Sequence, residues 1–279
     1  MKTIPVCYCG NRPIFGGIFM SVLSVMKHTD AALDIMLVTM DLDDQNPTWL
    51  PFSEEQRELM DRTLKEKNPE SRARIIDVTD LQLEHFSGAK NQKNKYTPYA
   101  SIRLFLDLVP DVPDKIVYLD ADIMCLDNVE KLYDIDVEKY EFAAAPDVVR
   151  RRFTPNYCNS GVMLLNMPYI RRSGLFGKAR EKVRTTTMLL PDQSALNFQC
   201  ESKLILPYRF NEQRDICPDT VFKHFCMKFF FYGPVLIKYN YKQWHRDMVH
   251  KKLKIHEFDD IYTEFDRILA DSNSHLIKI

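Results

Sequence analysis

Two apolar periods alternate through the first eighty residues, and that alternation restricts the fold more than any single motif. Strand-like runs at residues 3–9, 33–40 and 74–78 are separated by helical patterns at 14–28 and 53–67. Strands and helices in that rhythm build parallel βαβ units, so an α/β fold around a mostly parallel sheet is expected. Ser53 and Gln56 have the spacing of a capping box, and Glu54, Glu55 and Glu58 suit the positive end of the helix they open. An amphipathic stretch over 96–108 ends at Pro110 and Pro113, and a strand begins at Lys115. The second half is more mixed, with short strands expected at 142–145 and 161–165 and helices at 173–186 and 192–200. From Asn211 onward periodicity weakens. Aromatic residues gather at Phe222, Phe225, Phe229, Phe230, Phe231 and Tyr232, and basic residues crowd between Lys238 and Lys254. Domain boundaries are soft, the best candidate shift lying near Asn211, and the expected division is a main domain over 1–246 and a helical extension over 247–279.

Charge and cysteine usage narrow the function classes. Lys plus Arg (38) nearly balance Asp plus Glu (39), so no global field points to nucleic acid, and any basic site is local. The seven cysteines are scattered without zinc-site spacing, which is expected of a reduced, intracellular chain. The N-terminal residues lack the apolar core of a signal peptide. The longest apolar stretch, 14–26, contains two glycines and two serines, is too short to span a bilayer, and reads as a buried helix.

Within KIVYLDADIMCL, residues 115–126, an apolar run carries Asp120 and Asp122 out at its end. Side chains alternate along a strand, so Asp-x-Asp sends both carboxylates to one side, or to one rim if the strand turns there. Two hard oxygen donors with a small Ala121 between them suit Mg2+ or Mn2+ together with phosphate oxygens. Strand-end solvation and capping is the competing reading. Asp41 and Asp43 share the spacing but run into a polar loop, and Asp134 and Asp136 lie in a charged surface segment. Only Asp120 and Asp122 are flanked by apolar residues on both sides. A second strand end offers Gly10, Asn11 and Arg12 after Cys9, a turn signal where a nucleotide could sit.

Three motifs in order, YLDADI (118–123), YCNSGVMLLNM (157–167) and LPDQSALN (190–197), resemble glycosyltransferase family 8 over roughly residues 4–246. The resemblance implies a nucleotide-binding sandwich of the GT-A type and a retaining transfer of a hexose from a UDP-sugar. It implies Asp120 and Asp122 as the metal pair bridging to the diphosphate. Asn159 matches the asparagine that contacts the donor sugar, with Ser160 and Gly161 permitting close approach. Asp192 and Gln193 match a pair lying near the anomeric carbon, although Asp192 also suits a helix N-cap. Gln193, a neutral amide, is a poor nucleophile and better suited to stabilising charge at the reacting centre, which favours front-face departure and attack. Arg103 matches an arginine near the donor and lies four residues from Tyr99 on one helical face, with an ordinary surface arginine as the alternative. Asn11 matches the uridine-contacting asparagine, although Cys9 and Gly10 stand where the family has acidic residues.

The resemblance departs from the family at one further place. Family members carry a metal-binding histidine, a glycine and then Lys-Pro-Trp, whereas VLIKYNYKQWHRD (235–247) aligns Lys242 and Trp244 with the lysine and tryptophan and Gln243 with the proline. Lys238 or Tyr239 then falls in the place of the histidine. The third ligand is expected to be water or a neighbour such as Asn240, or Lys238 supplies charge directly; His245 reads as a surface residue. The implied function is a hexosyltransferase using UDP-galactose or UDP-glucose, with Mn2+ or Mg2+ as cofactor and an oligosaccharide or glycolipid as acceptor. Lys242 and Arg103 would steady the phosphates. The implied location is the cytoplasm, with the basic cluster from Lys238 to Lys254 offering peripheral contact at the inner membrane face. Two rivals remain: a sugar nucleotidyltransferase, which should show a Gly-rich loop after the first strand, and a non-catalytic nucleotide-sugar or glycan-binding module, which the missing histidine favours.

Overall fold

The structure is a computed structural model that describes residues 2–90, 98–232 and 235–271, and of the segment 228–237 it describes backbone only. The start of the 96–108 stretch, the side chains of Phe229 to Tyr232 and the end of the expected extension therefore lie outside the described residues.

The alternation read from the first eighty residues is realised as strands β1 (Thr3–Cys9), β2 (Ala32–Thr39) and β3 (Arg72–Asp77) with helices α1 (Phe15–Lys27), α2 (Glu54–Lys67) and α3 (Thr79–Phe86). The capping box at α2 forms as read. Gln56 N–H donates to the Ser53 hydroxyl at 3.3 Å, and Ser53 N–H donates to Gln56 Oε1 at 3.1 Å. The amphipathic stretch that follows is a 3-10 segment, Pro98–Phe105, rather than an α-helix. Arg180 holds this segment from outside, with Nη1 on the Leu104 carbonyl and Nη2 on Asp107 at 3.1 Å.

The second half supplies β4 (Lys115–Leu119), β5 (Ile123–Cys125), the one-turn helix α4 (Glu130–Tyr133), β6 (Phe142–Pro146) and β7 (Cys158–Asn166). Helices α5 (Met167–Ser173), α6 (Leu175–Thr185) and α7 (Pro191–Gln199) follow, then β8 (Lys203–Ile205) and β9 (Phe222–His224). A hairpin, β10 (Lys228–Tyr232) and β11 (Val235–Tyr239), precedes the short α8 (Arg246–Met248) and the last helix, α9 (Asp259–Asp271).

Seven strands form one sheet in the order β3-β2-β1-β4-β7-β6-β8. The first four run parallel; β7 is antiparallel to both β4 and β6, and β8 runs parallel with β6. Two apolar clusters cover its faces. One joins α1 and α2 to the inner face of α9 through Phe19, Leu59 and Phe265; the other joins the 3-10 segment, α6 and α7 through Phe105, Phe176 and Leu196. The order reverses direction at the β1/β4 centre, where open α/β sheets place their ligands. Among the described residues, no helix is long and apolar enough to cross a membrane. In the basic cluster near the C-terminal end, Arg246 grips Asp266 through two hydrogen bonds, and Lys251 reaches Asp247.

Candidate active site

Strand β4 leaves the sheet at Asp120, and the local backbone explains why both acids face one cavity. Asp120 N–H still donates to the Gly161 carbonyl of β7 at 2.8 Å, then a tight turn closes with Ile123 N–H on the Asp120 carbonyl at 3.2 Å. The chain re-enters extended geometry as β5, which pairs with β9 so that Ile123 stands opposite His224. Phe225 N–H donates to the Asp122 carbonyl at 2.9 Å. The turn thus sends the carboxylates to one rim, and β9 brings an imidazole to the same point. One ligand atom each from Asp120, Asp122 and His224 lie within 4.8 Å of one another.

His224 is a candidate third ligand that the sequence reading did not include. Lys238 sits on β11 and Tyr239 ends it, so the place assigned to them belongs to a hairpin inserted between the histidine and Lys242. His245 is exposed and accepts the Lys242 N–H through Nδ1 at 3.1 Å, in keeping with a surface role. Asn240 lines the same cavity as the three residues.

A chain of amides fixes the histidine. Asn159 Oδ1 accepts from Gly161 N–H at 3.0 Å and from Asn211 Nδ2 at 2.9 Å, which leaves Asn211 Oδ1 facing His224 Nδ1 at 3.0 Å. An amide oxygen only accepts, so Nδ1 carries the hydrogen and the Nε2 lone pair points at Asp122 Oδ1, 3.3 Å away. Two lone pairs in contact require a cation between them, a proton or a metal ion. Lys242 completes the electrostatics, with Nζ on Asp122 Oδ2 and on the Phe225 carbonyl at 3.0 Å. Burial opposes ionisation of Asp122, but Lys242, joined by His224 when a proton sits on its Nε2, outweighs it and holds the carboxyl well below the usual range. Burial works against the Lys242 ammonium too, and Asp122 more than restores it.

These groups floor a cavity of 410 Å³, which Asn159, Gln193 and Asp147 also line. Sequence reasoning missed Asp147. Its Oδ2 accepts from Asn159 Nδ2 at 3.3 Å and Gln193 Nε2 at 3.2 Å, and its Oδ1 accepts from Val149 N–H at 3.0 Å and Arg150 N–H at 2.8 Å. Gln193 Oε1 accepts from Ser160 N–H at 3.1 Å. A lone Asp after Pro146 reads as a turn residue, so no local pattern pointed to it.

Arg103 and Asp192 lie behind this floor rather than in it. Arg103 is 5% exposed, and its guanidinium donates to the Ser160 carbonyl at 2.7 Å and to Asp120 at 2.9 Å, with Asp192 at 3.3 Å. The surface alternative for Arg103 is thereby excluded. Burial pushes the Asp192 carboxyl up and neighbouring Asp120 adds to this, Arg103 offsetting only part. Leu190 holds the N-cap position of α7, and Asp192 sits inside the first turn, where the Gln193 backbone N–H reaches its carboxylate. Asn11 stands at the end of β1 with its amide on the Thr48 carbonyl at 3.4 Å, outside the cavity lining. Gln243, in the place of the family's proline, is fully buried; its Nε2 donates to the carbonyls of Ala121 at 2.7 Å and Gly17 at 3.2 Å, tying the Lys242 strap to the acidic turn.

Comparison with known proteins agrees with this architecture. A galactosyltransferase, LgtC, solved with donor and acceptor sugar analogs, superposes with a TM-score of 0.63 at 18% identity, covering 94% of this chain and 96% of that one. Its likeness establishes the GT-A type of fold. Glucoside xylosyltransferase 1 of Gallus gallus is 31% identical over 163 residues, 47% of this chain and 37% of the relative. Lipopolysaccharide 1,3-galactosyltransferase of Salmonella typhimurium is 24% identical over 201 residues, 61% of this chain and 56% of the relative. The chain thus spans between about a third and somewhat over half of the length of these curated relatives. The model of glycosyl transferase family 8 matches residues 5–248, nearly the whole sequence, and the chain belongs to that family.

Proposed function

We propose that the protein is a retaining hexosyltransferase that moves galactose or glucose from a UDP-sugar to an oligosaccharide or glycolipid acceptor. The observation that carries this reading is the convergence of Asp120, Asp122 and the oriented Nε2 of His224 at the floor of an open cavity, beside the half-buried Lys242 ammonium. Two carboxylates and one imidazole are a fitting donor set for Mn2+ or Mg2+. Bound there, such an ion would neutralise charge developing on a diphosphate leaving group.

The chain's own residues supply the rest. Lys242 offers a second positive charge to the phosphates once released from Asp122. Asn159 and Gln193 present amides to the hexose. Asp147, the cavity-lining carboxylate outside the cation cluster, has its oxygens committed to four N–H donors, which blunts it as a nucleophile and supports front-face attack over a glycosyl-enzyme. Arg103 acts as a positioning residue that fixes the Asp120 carboxylate. The candidate ligand at His224 weighs against the non-catalytic binding module, which a missing histidine would favour.

Release of UDP from UDP-galactose or UDP-glucose with Mn2+ tests the proposal. Asp122→Asn should lower the rate by at least about 100-fold, as loss of a group stabilising transition-state charge does. Tight UDP-sugar binding with no UDP release across a panel of acceptors would overturn it.

A further inference from the structure

Away from the cavity, three side chains near the C-terminal helix meet at one point. His250 Nε2 lies 2.6 Å from Asp259 Oδ1, and His256 Nδ1 lies 3.3 Å from Asp259 Oδ2. The imidazole rings stack with centroids 4.6 Å apart and planes 17° from parallel. One ligand atom from each of the three residues lies within 4.8 Å of the other two.

The backbone builds this convergence. Each of the three directly follows a core anchor, since Val249, Ile255 and Phe258 are buried. Between the first two anchors a single π-turn, Val249–Leu253, leads into Lys254 at φ 57°, a left-handed residue that reverses the chain. Ile255 N–H then donates back to the Val249 carbonyl at 3.4 Å. Asp259 opens α9, whose Tyr262 sets its ring edge-on to His250 with centroids 5.9 Å apart. Three solvent-facing groups carried on three buried neighbours have little further freedom to lose when a ligand gathers them.

We propose that His250, His256 and Asp259 form a second metal site, for a transition-metal dication of the Zn2+ type, with water completing the coordination. Two imidazoles and a carboxylate are a zinc-like donor set, whereas Mg2+ and Mn2+ suit the oxygen-rich cluster at Asp120 and Asp122. Side-chain exposures of 33%, 62% and 52% leave an open path for the ion and its water. Part of the neighbouring positive charge is offset, because Lys251 pairs with Asp247 and Arg246 with Asp266. The Tyr262 hydroxyl donates to the Gln243 carbonyl at 2.9 Å, so an ion fixing the start of α9 also stiffens the strap that carries Lys242.

Equilibrium dialysis against Zn2+ with Mg2+ in excess, followed by elemental analysis, tests this site apart from the active-site cluster. Wild-type protein should retain one more Zn2+ per chain than His256→Gln, and Asp122→Asn should keep that extra equivalent. Glutamine at 256 still offers an amide donor to Asp259, so a merely hydrogen-bonded cluster survives the substitution while a metal site does not. Co2+ should give the visible bands of a tetrahedral nitrogen–oxygen set in wild type, lost in both His256→Gln and His250→Ala. Equal Zn2+ content in wild type and a folded His256→Gln overturns the proposal, as does loss of all bound Zn2+ in Asp122→Asn.

Discussion

The three polar groups His224, Asn211 and Asn159 act as one device, since each orients the next and the last is fixed by the Gly161 backbone. Asn211 touches His224 only at Nδ1, so its removal frees the imidazole to rotate without deleting a ligand. Asn211→Ala is expected to weaken Mn2+ binding about 10–100-fold, the usual cost of losing an outer partner of a ligating histidine, as titration calorimetry would register. Arg103 makes the opposite kind of contribution. It is the buried cation that faces both Asp120 and Asp192, and its loss leaves Asp192 without its positive partner in a site that already disfavours the charged form. Arg103→Met should therefore destabilise the fold by about 3–5 kcal/mol in urea unfolding. Asp192→Asn should cost less, because it removes the disfavoured charge itself.

At the level of elements, the site depends on β7 and β9 approaching more closely than side chains allow. A Cβ on Gly161 would lie 2.4 Å from His224 Cε1 and 2.8 Å from its Nδ1, so alanine there must push the ring off Asn211. Gly161→Ala is expected to preserve the sheet, seen as unchanged far-UV circular dichroism, while lowering Mn2+ affinity as much as Asn211→Ala does or more. The parallel strands and their helices were legible because apolar period is a local property, and the capping box of α2 because its spacing is fixed by one turn. Residue His224 was not legible. Strand β9 is three residues long, too short for a period, and the hairpin Lys228–Tyr239 separates the histidine from the Lys242 it works beside. Gly161 suits close approach by a donor in sequence terms, yet its nearest neighbour across the gap is the imidazole ring of His224. Arg103 matches a family arginine near the donor, and the 3-10 geometry of its segment turns it inward behind Asp120.

For the molecule as a whole, buried ionisable groups determine how stability follows pH, and the two limbs have different owners. Carboxyls held low by cationic or N–H partners, namely Asp122, Asp61 and Asp127, contribute stability that is present above their unfolded value of 3.8 and is lost as pH falls toward their folded values. Asp192 runs the other way. Its carboxyl is pushed up by burial, so the stability it adds is present below 3.8 and is lost as pH rises through its folded value. Further carboxyls are held low in the same way, Asp260 and Asp266 among them, so the acid limb should fall as pH drops below about 4. On the alkaline side, burial pushes the thiols of Cys125 and Cys158 from 9.0 up to about 12. Above pH 9 the unfolded chain ionises these thiols while the folded chain keeps them neutral, so each contributes a decline of up to about 1.4 kcal/mol per pH unit until its folded value is reached. Buried tyrosines such as Tyr99, pushed up from 10.0 by burial, join only above pH 10. Urea unfolding between pH 9 and 10 isolates the thiols: Cys158→Ala should flatten the decline relative to wild type, whatever it does to stability at neutral pH. The same burial implies that a thiol reagent at neutral pH modifies exposed Cys217 while sparing Cys125 and Cys158 until the protein unfolds. A slope unaffected by Cys158→Ala, or rapid labelling of Cys125 in the folded protein, would mean that the core around β5 and β7 opens far more readily than its packing implies.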